Sequence, residues 1–309
     1  MKRTALLFAG QGSQSVGMGR DLCERFGSCR EAFARGNEIL GRDLQSICFD
    51  GPEDTLTQTD NAQPGILLTS LVCLEALRSQ VPSLTFSAAA GLSLGEFTAL
   101  TAANALSFED GLGLIQQRGR FMQEACNTTS GSMASIIGMD DTALVEVCRQ
   151  ADVDIANLNC PGQTVISGEK DRIAKAVELA KARGARRALP LQVAGAYHSR
   201  LMQPAQDRLA SVLGGVTMRE PSVTVVHNVT ARPATGVEEI KKLLVQQVTS
   251  SVRWAECMQW LIAQGYTRFI ELGPGKVLSG LMKRINRDVE MLNVADSATL
   301  DAAVAKLSA

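Results

Sequence analysis

Ala88-Ala89-Ala90-Gly91-Leu92-Ser93-Leu94-Gly95-Glu96 is the stretch whose reading decides the fold. Thr85 to Ala90 reads as a short buried strand that ends in small residues, and a helical run follows directly. Between them Gly91-Leu92-Ser93-Leu94-Gly95 matches G-x-S-x-G. A strand, a sharp turn and a helix are the setting in which that motif forms a nucleophile elbow. Small flanking residues let the backbone turn tightly and lift the serine oxygen to the helix amino terminus. There unpaired N–H groups and the helix dipole favour developing negative charge. The same residues also fit a plainer role, a glycine-rich turn in which Ser93 only caps the helix.

On the amino-terminal side, Thr4 to Ala9 reads as a second buried strand that stops at Gly10-Gln11-Gly12-Ser13. Helical spacing is expected over Asp21–Leu40, Pro64–Gln80, Phe97–Ala105 and Phe108–Ala125. Short apolar strands alternating with helices predict a parallel α/β sheet. The rhythm changes near residue 126. Met133–Gly138, Asp154–Leu158, Thr164–Ser167 and Ala185–Val193 read as strands, with helices at Ala143–Gln150 and Arg172–Arg183. That β-α-β-β-α-β order is ferredoxin-like. The expected architecture is an α/β, hydrolase-like core over residues 1–125 and 196–309, interrupted by a ferredoxin-like α+β subdomain at 126–195. Further core strands are expected at Val223–Val229 and Arg268–Leu272.

The composition bounds the function. Of 309 residues, 45% are hydrophobic and 20% charged, and the net charge of -1 offers no basic field for nucleic acid. Eight scattered cysteines without a C-x-x-C pair, beside only two histidines, point to free thiols rather than to disulfides or zinc. The apolar run Ala5–Ala9 is too short for a signal peptide, and no stretch reaches the ~20 apolar residues of a membrane span. A cytoplasmic enzyme is expected.

A serine hydroxyl needs a base to become a nucleophile. His227 lies within a predicted strand, which gives it a structural role. His198, in Gly195-Ala196-Tyr197-His198-Ser199, sits in a loop before a helix, where catalytic side chains often stand. One arginine is also out of place. At 100° per residue Gly111, Leu112, Leu114, Ile115, Phe121, Met122 and Ala125 share an apolar face, and Arg118 points along its middle, whereas Arg120 points to water. An inward guanidinium requires an anion, either an internal carboxylate or a substrate's.

Six motifs stand in register: Ala9-Gly10-Gln11-Gly12-Ser13-Gln14, the elbow with Glu96, Gln117-Arg118-Gly119, Ala156-Asn157 through Pro161-Gly162-Gln163, Tyr197-His198-Ser199, and Glu271-Leu272-Gly273-Pro274-Gly275. Together they resemble the malonyl-CoA:acyl-carrier-protein transacylases of bacterial fatty-acid synthesis and the acyltransferase domains of polyketide synthases. The resemblance runs from about residue 4 to residue 300. It implies a Ser93–His198 dyad, a Gln247 whose side-chain carbonyl orients the imidazole, and an oxyanion hole from the backbone N–H groups of Gln11 and Leu94. It also implies that Arg118 binds the acyl carboxylate. Two positions depart from the family pattern: Leu92 replaces the usual histidine before the nucleophile, and Tyr197 replaces a common phenylalanine.

Lys181, Arg183, Arg186 and Arg187 form a basic cluster that fits either a solvated face or attraction of CoA phosphates and an acidic carrier protein. By family position Arg187 is the candidate in that cluster, with Asn159 a candidate pantetheine contact. The partners implied are malonyl-CoA and acyl carrier protein, without metal, cofactor, nucleic acid or membrane. The rivals are a polyketide-pathway acyltransferase, an esterase with an acidic third member, and a non-catalytic carrier-binding partner.

Overall fold

Among the described residues every strand joins one of two sheets. In the computed structural model, which describes residues 2–308, the strands are β1 (Arg3–Phe8), β2 (Ala88–Gly91), β3 (Gly131–Ile137), β4 (Asp154–Cys160), β5 (Gln163–Glu169), β6 (Arg187–Pro190), β7 (Thr224–Val226), β8 (Tyr266–Leu272) and β9 (Glu290–Val294). One sheet runs β7-β2-β1-β8-β9 with every pair parallel. The other runs β4-β5-β3-β6 with every pair antiparallel. That second order is the ferredoxin-like one, and its residues lie inside the interval in which the rhythm of the sequence changes.

The central strand β1 explains why its sequence is a continuous apolar run. Helices cover both faces of a parallel sheet, so both sets of side chains are buried. Leu6 and Phe8 join the larger core, which the helix Thr59–Gln80 fills with Ile66, Leu67 and Val72. Ala5 and Leu7 point the other way, toward Trp254, Met258 and Leu261 of the helix Trp254–Ala263. Truncating one such side chain to alanine costs about 2–5 kcal/mol. The small sheet has its own core, in which Ile136, Val147, Ile166 and Val177 pack the helices Asp141–Ala151 and Lys170–Ala182 on one face.

The registers bring the carboxyl ends of the strands to one edge. Phe8 stands opposite Gly91 on one side and Leu272 on the other. The loops after β1, β2, β7 and β8 therefore meet there, where open parallel sheets hold their ligands.

Two helical runs depart most from their expected bounds, and the run expected over Phe97–Ala105 is the helix Leu94–Ala102. Helical spacing sets in at Pro64, yet the helix begins at Thr59. Proline lacks the N–H that would bond the carbonyl of Asp60, four residues back, and Arg42 Nη2 donates to that oxygen instead at 2.5 Å. The run Asp21–Leu40 is two helices, Arg20–Arg25 and Gly27–Leu40, parted by an extended Phe26 (φ -121°, ψ 125°). No helix among the described residues is long and apolar enough to cross a membrane. All eight cysteines are buried and unbridged.

Candidate active site

Ser93 stands between β2 and the helix Leu94–Ala102 with φ 55° and ψ -108°, a strained backbone for any residue but glycine. The glycines on either side make the turn possible by close approach. A Cβ at Gly91 would fall 1.9 Å from the carbonyl of Gly95, and one at Gly95 would fall 2.3 Å from the carbonyl oxygen of Phe8. Asn228, two residues beyond β7, clamps the turn: its Oδ1 accepts from Ser93 N at 2.7 Å and its Nδ2 donates to Gly91 O at 2.8 Å.

The Ser93 side chain makes no helix-capping hydrogen bond. Its Oγ lies 2.8 Å from His198 Nε2 and accepts from Arg118 Nη2 at 3.0 Å. His198, at φ 56° in the loop before Arg200–Met202, places Nδ1 2.8 Å from the main-chain carbonyl of Gln247. A carbonyl can only accept, so Nδ1 carries the proton and Nε2 is left to take the serine's. Burial and the neighbouring Arg118 charge push the imidazole pKa down to about 4, so it is a neutral base at pH 7.

Arg118, on the helix Phe108–Thr128, is 1% exposed and forms no ion pair with a carboxylate among the described residues. Nη1 donates to Gln63 Oε1 at 2.7 Å, Nη2 also donates to Gln247 Oε1 at 3.0 Å, and the guanidinium lies over the Phe97 ring. Nε has no partner among the described residues. Burial lowers its pKa to about 10, which still leaves it charged at neutral pH. A buried cation held only by neutral oxygens is a ready receptor for an anionic group brought to Ser93.

A cleft of about 240 Å³ opens over the serine, bordered by Gln11, Leu92, Met122, Asn159, Leu191 and His198 among others. The backbone N–H groups of Gln11, in the loop after β1, and of Leu94, first in its helix, have no hydrogen-bond partner among the described residues.

A family model described as the acyl transferase domain matches residues 5–302. The chain belongs to the acyl transferase family. The malonyl CoA-acyl carrier protein transacylase of Bacillus subtilis is 45% identical over 312 residues, covering 99% of this chain and 98% of that relative. The solved acyl-carrier-protein-S-malonyltransferase of Bartonella henselae superposes with a TM-score of 0.94 at 40% identity, covering 99% of this chain and 100% of its own. A type II PKS acyl-carrier protein in complex with its malonyl-transacylase supplies a further match, with a TM-score of 0.95 at 38% identity, covering 98% and 99%.

In this acyl transferase Ser93, His198, Arg118 and Gln247 converge on one point, and Asn159 lines the cleft from β4. Arg187 is exposed on β6 opposite Ile137 and does not border the cleft. One expectation needs correction. Gln247 meets His198 through its main-chain carbonyl, not its side chain, whose Oε1 is occupied by Arg118 and whose Nε2 donates to Ser93 O and Glu96 Oε2. Tyr197 uses its added hydroxyl on Thr59 Oγ1 at 2.6 Å and accepts from Gln11 Nε2 at 3.3 Å, steadying the Gln11 loop. Leu92 packs on the core behind the elbow and lines the cleft.

Asn228, Gln63 and Glu96 were missed as members of the site. Glu96 was visible in the sequence as the residue ending the elbow motif, but nothing there connects Asn228 or Gln63 with Ser93. Their hydrogen bonds span 135 positions, from Asn228 to Ser93, and 55, from Gln63 to Arg118.

Proposed function

We propose that this acyl transferase moves malonyl from malonyl-CoA to the phosphopantetheine thiol of acyl carrier protein, in two steps through a malonyl-serine at Ser93. His198 Nε2 takes the Ser93 proton as Oγ attacks the thioester carbonyl. The tetrahedral oxyanion meets the N–H groups of Gln11 and Leu94, each such donor being worth about 3 kcal/mol of barrier. The intermediate collapses, the carbon–sulfur bond breaks, and His198 returns the proton to CoA. The carrier's thiol then gives its proton to His198, attacks the malonyl-serine carbonyl, and leaves with the acyl group as Ser93 regains its proton.

The observation that carries this reading is the buried Arg118 guanidinium on the nucleophile's oxygen with no carboxylate paired to it. It favours an acyl group that brings its own carboxylate and leaves an ordinary esterase without a use for Arg118. We read residues 126–195 as an inserted subdomain that forms one wall of the cleft. Asn159 serves there as a pantetheine contact and Arg187 as an attraction for CoA phosphates or the carrier. Residues 1–125 and 196–309 form the catalytic part. The reaction as drawn needs no cofactor and takes place in the cytoplasm, supplying malonyl carrier protein for fatty-acid synthesis. The same chemistry would serve a polyketide carrier, and rates with the two carriers distinguish the pathways. Steady release of CoA from malonyl-CoA only when carrier protein is present is the expected result. Equal release without carrier would identify a hydrolase, and no release at all a non-catalytic binding partner.

A further inference from the structure

His198 is held by a neutral carbonyl where many serine enzymes place a carboxylate, yet it must become an imidazolium each time Ser93 is acylated. One charge beside it makes that harder. Arg118, from the helix Phe108–Thr128, repels the imidazolium, while the backbone of Gln247 and Ser250 supplies only dipoles. The acid absent from the dyad is one residue further back. Glu96, in the first turn of the elbow helix, is 0% exposed, and its Oε2 accepts from Gln247 Nε2 at 2.8 Å and from Asn228 N at 2.9 Å. Its Oε1 accepts from His227 Nδ1 at 2.7 Å. The other fully buried carboxylate, Glu271, is spent on the N–H groups of Leu278 and Ser279.

We propose that Glu96 is the distal anion of the Ser93–His198 pair: a positioning residue that acts through Gln247 and balances the imidazolium formed in both half-reactions. As an acceptor also held by Asn228 N, its Oε2 determines which way the Gln247 amide faces, and the amide oxygen of a glutamine in its place would do the same. With the NH₂ drawn to Glu96 and to Ser93 O, the amide oxygen must face Arg118, and the selector guanidinium is aimed at the nucleophile. The same carboxylate raises the proton affinity of His198 against the effects of burial and Arg118. His227, which takes no part in proton transfer to substrate, holds Glu96 in place. Glu96 has this role only if Ser93 is acylated as proposed above.

Glu96→Gln tests it, because the near-isosteric amide removes the charge and can still be satisfied. Its NH₂ would face His227, whose proton moves to Nε2. Single-turnover acylation, followed by mass, should fall by about 10- to 100-fold, as when a partner behind a reactive group is removed. The loss should be the same for malonyl-CoA and acetyl-CoA, since both require the imidazolium. In a His198→Ala background Glu96→Gln should cause little further loss, because residues acting as a unit are not additive. Glu96→Asp keeps the charge but opens a gap, so charge balance predicts that Asp retains more rate than Gln, and a packing role predicts the reverse. An unchanged rate, a loss confined to malonyl-CoA, or equal losses with and without His198 would overturn the assignment. Should Glu96→Gln not fold, Glu96→Asp compared with and without His198 gives the same test. A wild-type protein that never acylates Ser93 would overturn the malonyl-transfer reading as well, whatever Glu96 does.

Discussion

Arg118 Nη2 and Ser93 Oγ are 3.0 Å apart, so the charge proposed to select the acyl group rests on the atom proposed to attack it. On that proposal the carboxylate of a bound acyl group arrives with the carbonyl already beside the serine. Binding and orientation become one event.

Selectivity should follow from that contact. Arg118→Ala is expected to lower kcat/KM for malonyl-CoA by a factor equivalent to about 2–5 kcal/mol, as for a buried charge-assisted contact, and to leave slow acetyl transfer unchanged or improved. Arg120, on the wet side of the same helix with Glu124 at 3.7 Å, is the control and should affect neither thioester. Equal losses for malonyl and acetyl would mean that Arg118 only holds the fold together.

The two histidines should separate cleanly. His198→Ala is expected to slow acylation by about three orders of magnitude or more while the thermal midpoint stays near wild type. His227→Ala removes a buried partner of Glu96 and should cost about 1–3 kcal/mol of stability, read by denaturant unfolding. Its acylation rate should fall far less than that of His198→Ala. Exchanged phenotypes would refute the choice of base.

Stability should depend on pH through His198. Its folded pKa of about 4 lies below the ordinary 6.5, so the unfolded chain binds the extra proton between these values. This contribution is fully present above pH 6.5 and is lost as pH falls from 6.5 to 4, amounting to about 3 kcal/mol at most. Thermal midpoints measured from pH 4 to 7 should show that decline, and it should shrink in His198→Ala. Acylation should stay flat down to about pH 5 and drop through pH 4, because only the neutral imidazole can accept the serine proton.

Much of this was legible in the chain because it is encoded locally. The apolar run of β1, the small residues before Ser93 and the inward Arg118 each depend on neighbours within a turn or a strand, and periodicity reports such neighbours. The helix start at Thr59 was not legible, because the Asp60 carbonyl freed by Pro64 is satisfied by Arg42 from another element. The clamp from Asn228 and the amide orientation at Gln247 lie further still from any local signal. A glutamine reads the same in sequence whether its side chain or its main chain meets the histidine, and only the packed site shows that Gln247 gives His198 its main-chain carbonyl and turns its side chain to Arg118, Ser93 and Glu96.

The central claim is a malonyl ester on Ser93, and mass spectrometry of the intact protein tests it most directly. After brief mixing with malonyl-CoA, the protein should gain the mass of one malonyl group, located on the peptide that contains Ser93 and discharged when carrier protein is added. Ser93→Ala should gain nothing. An adduct that survives in Ser93→Ala, or a wild-type protein that turns malonyl-CoA over without ever carrying the group, would contradict the account.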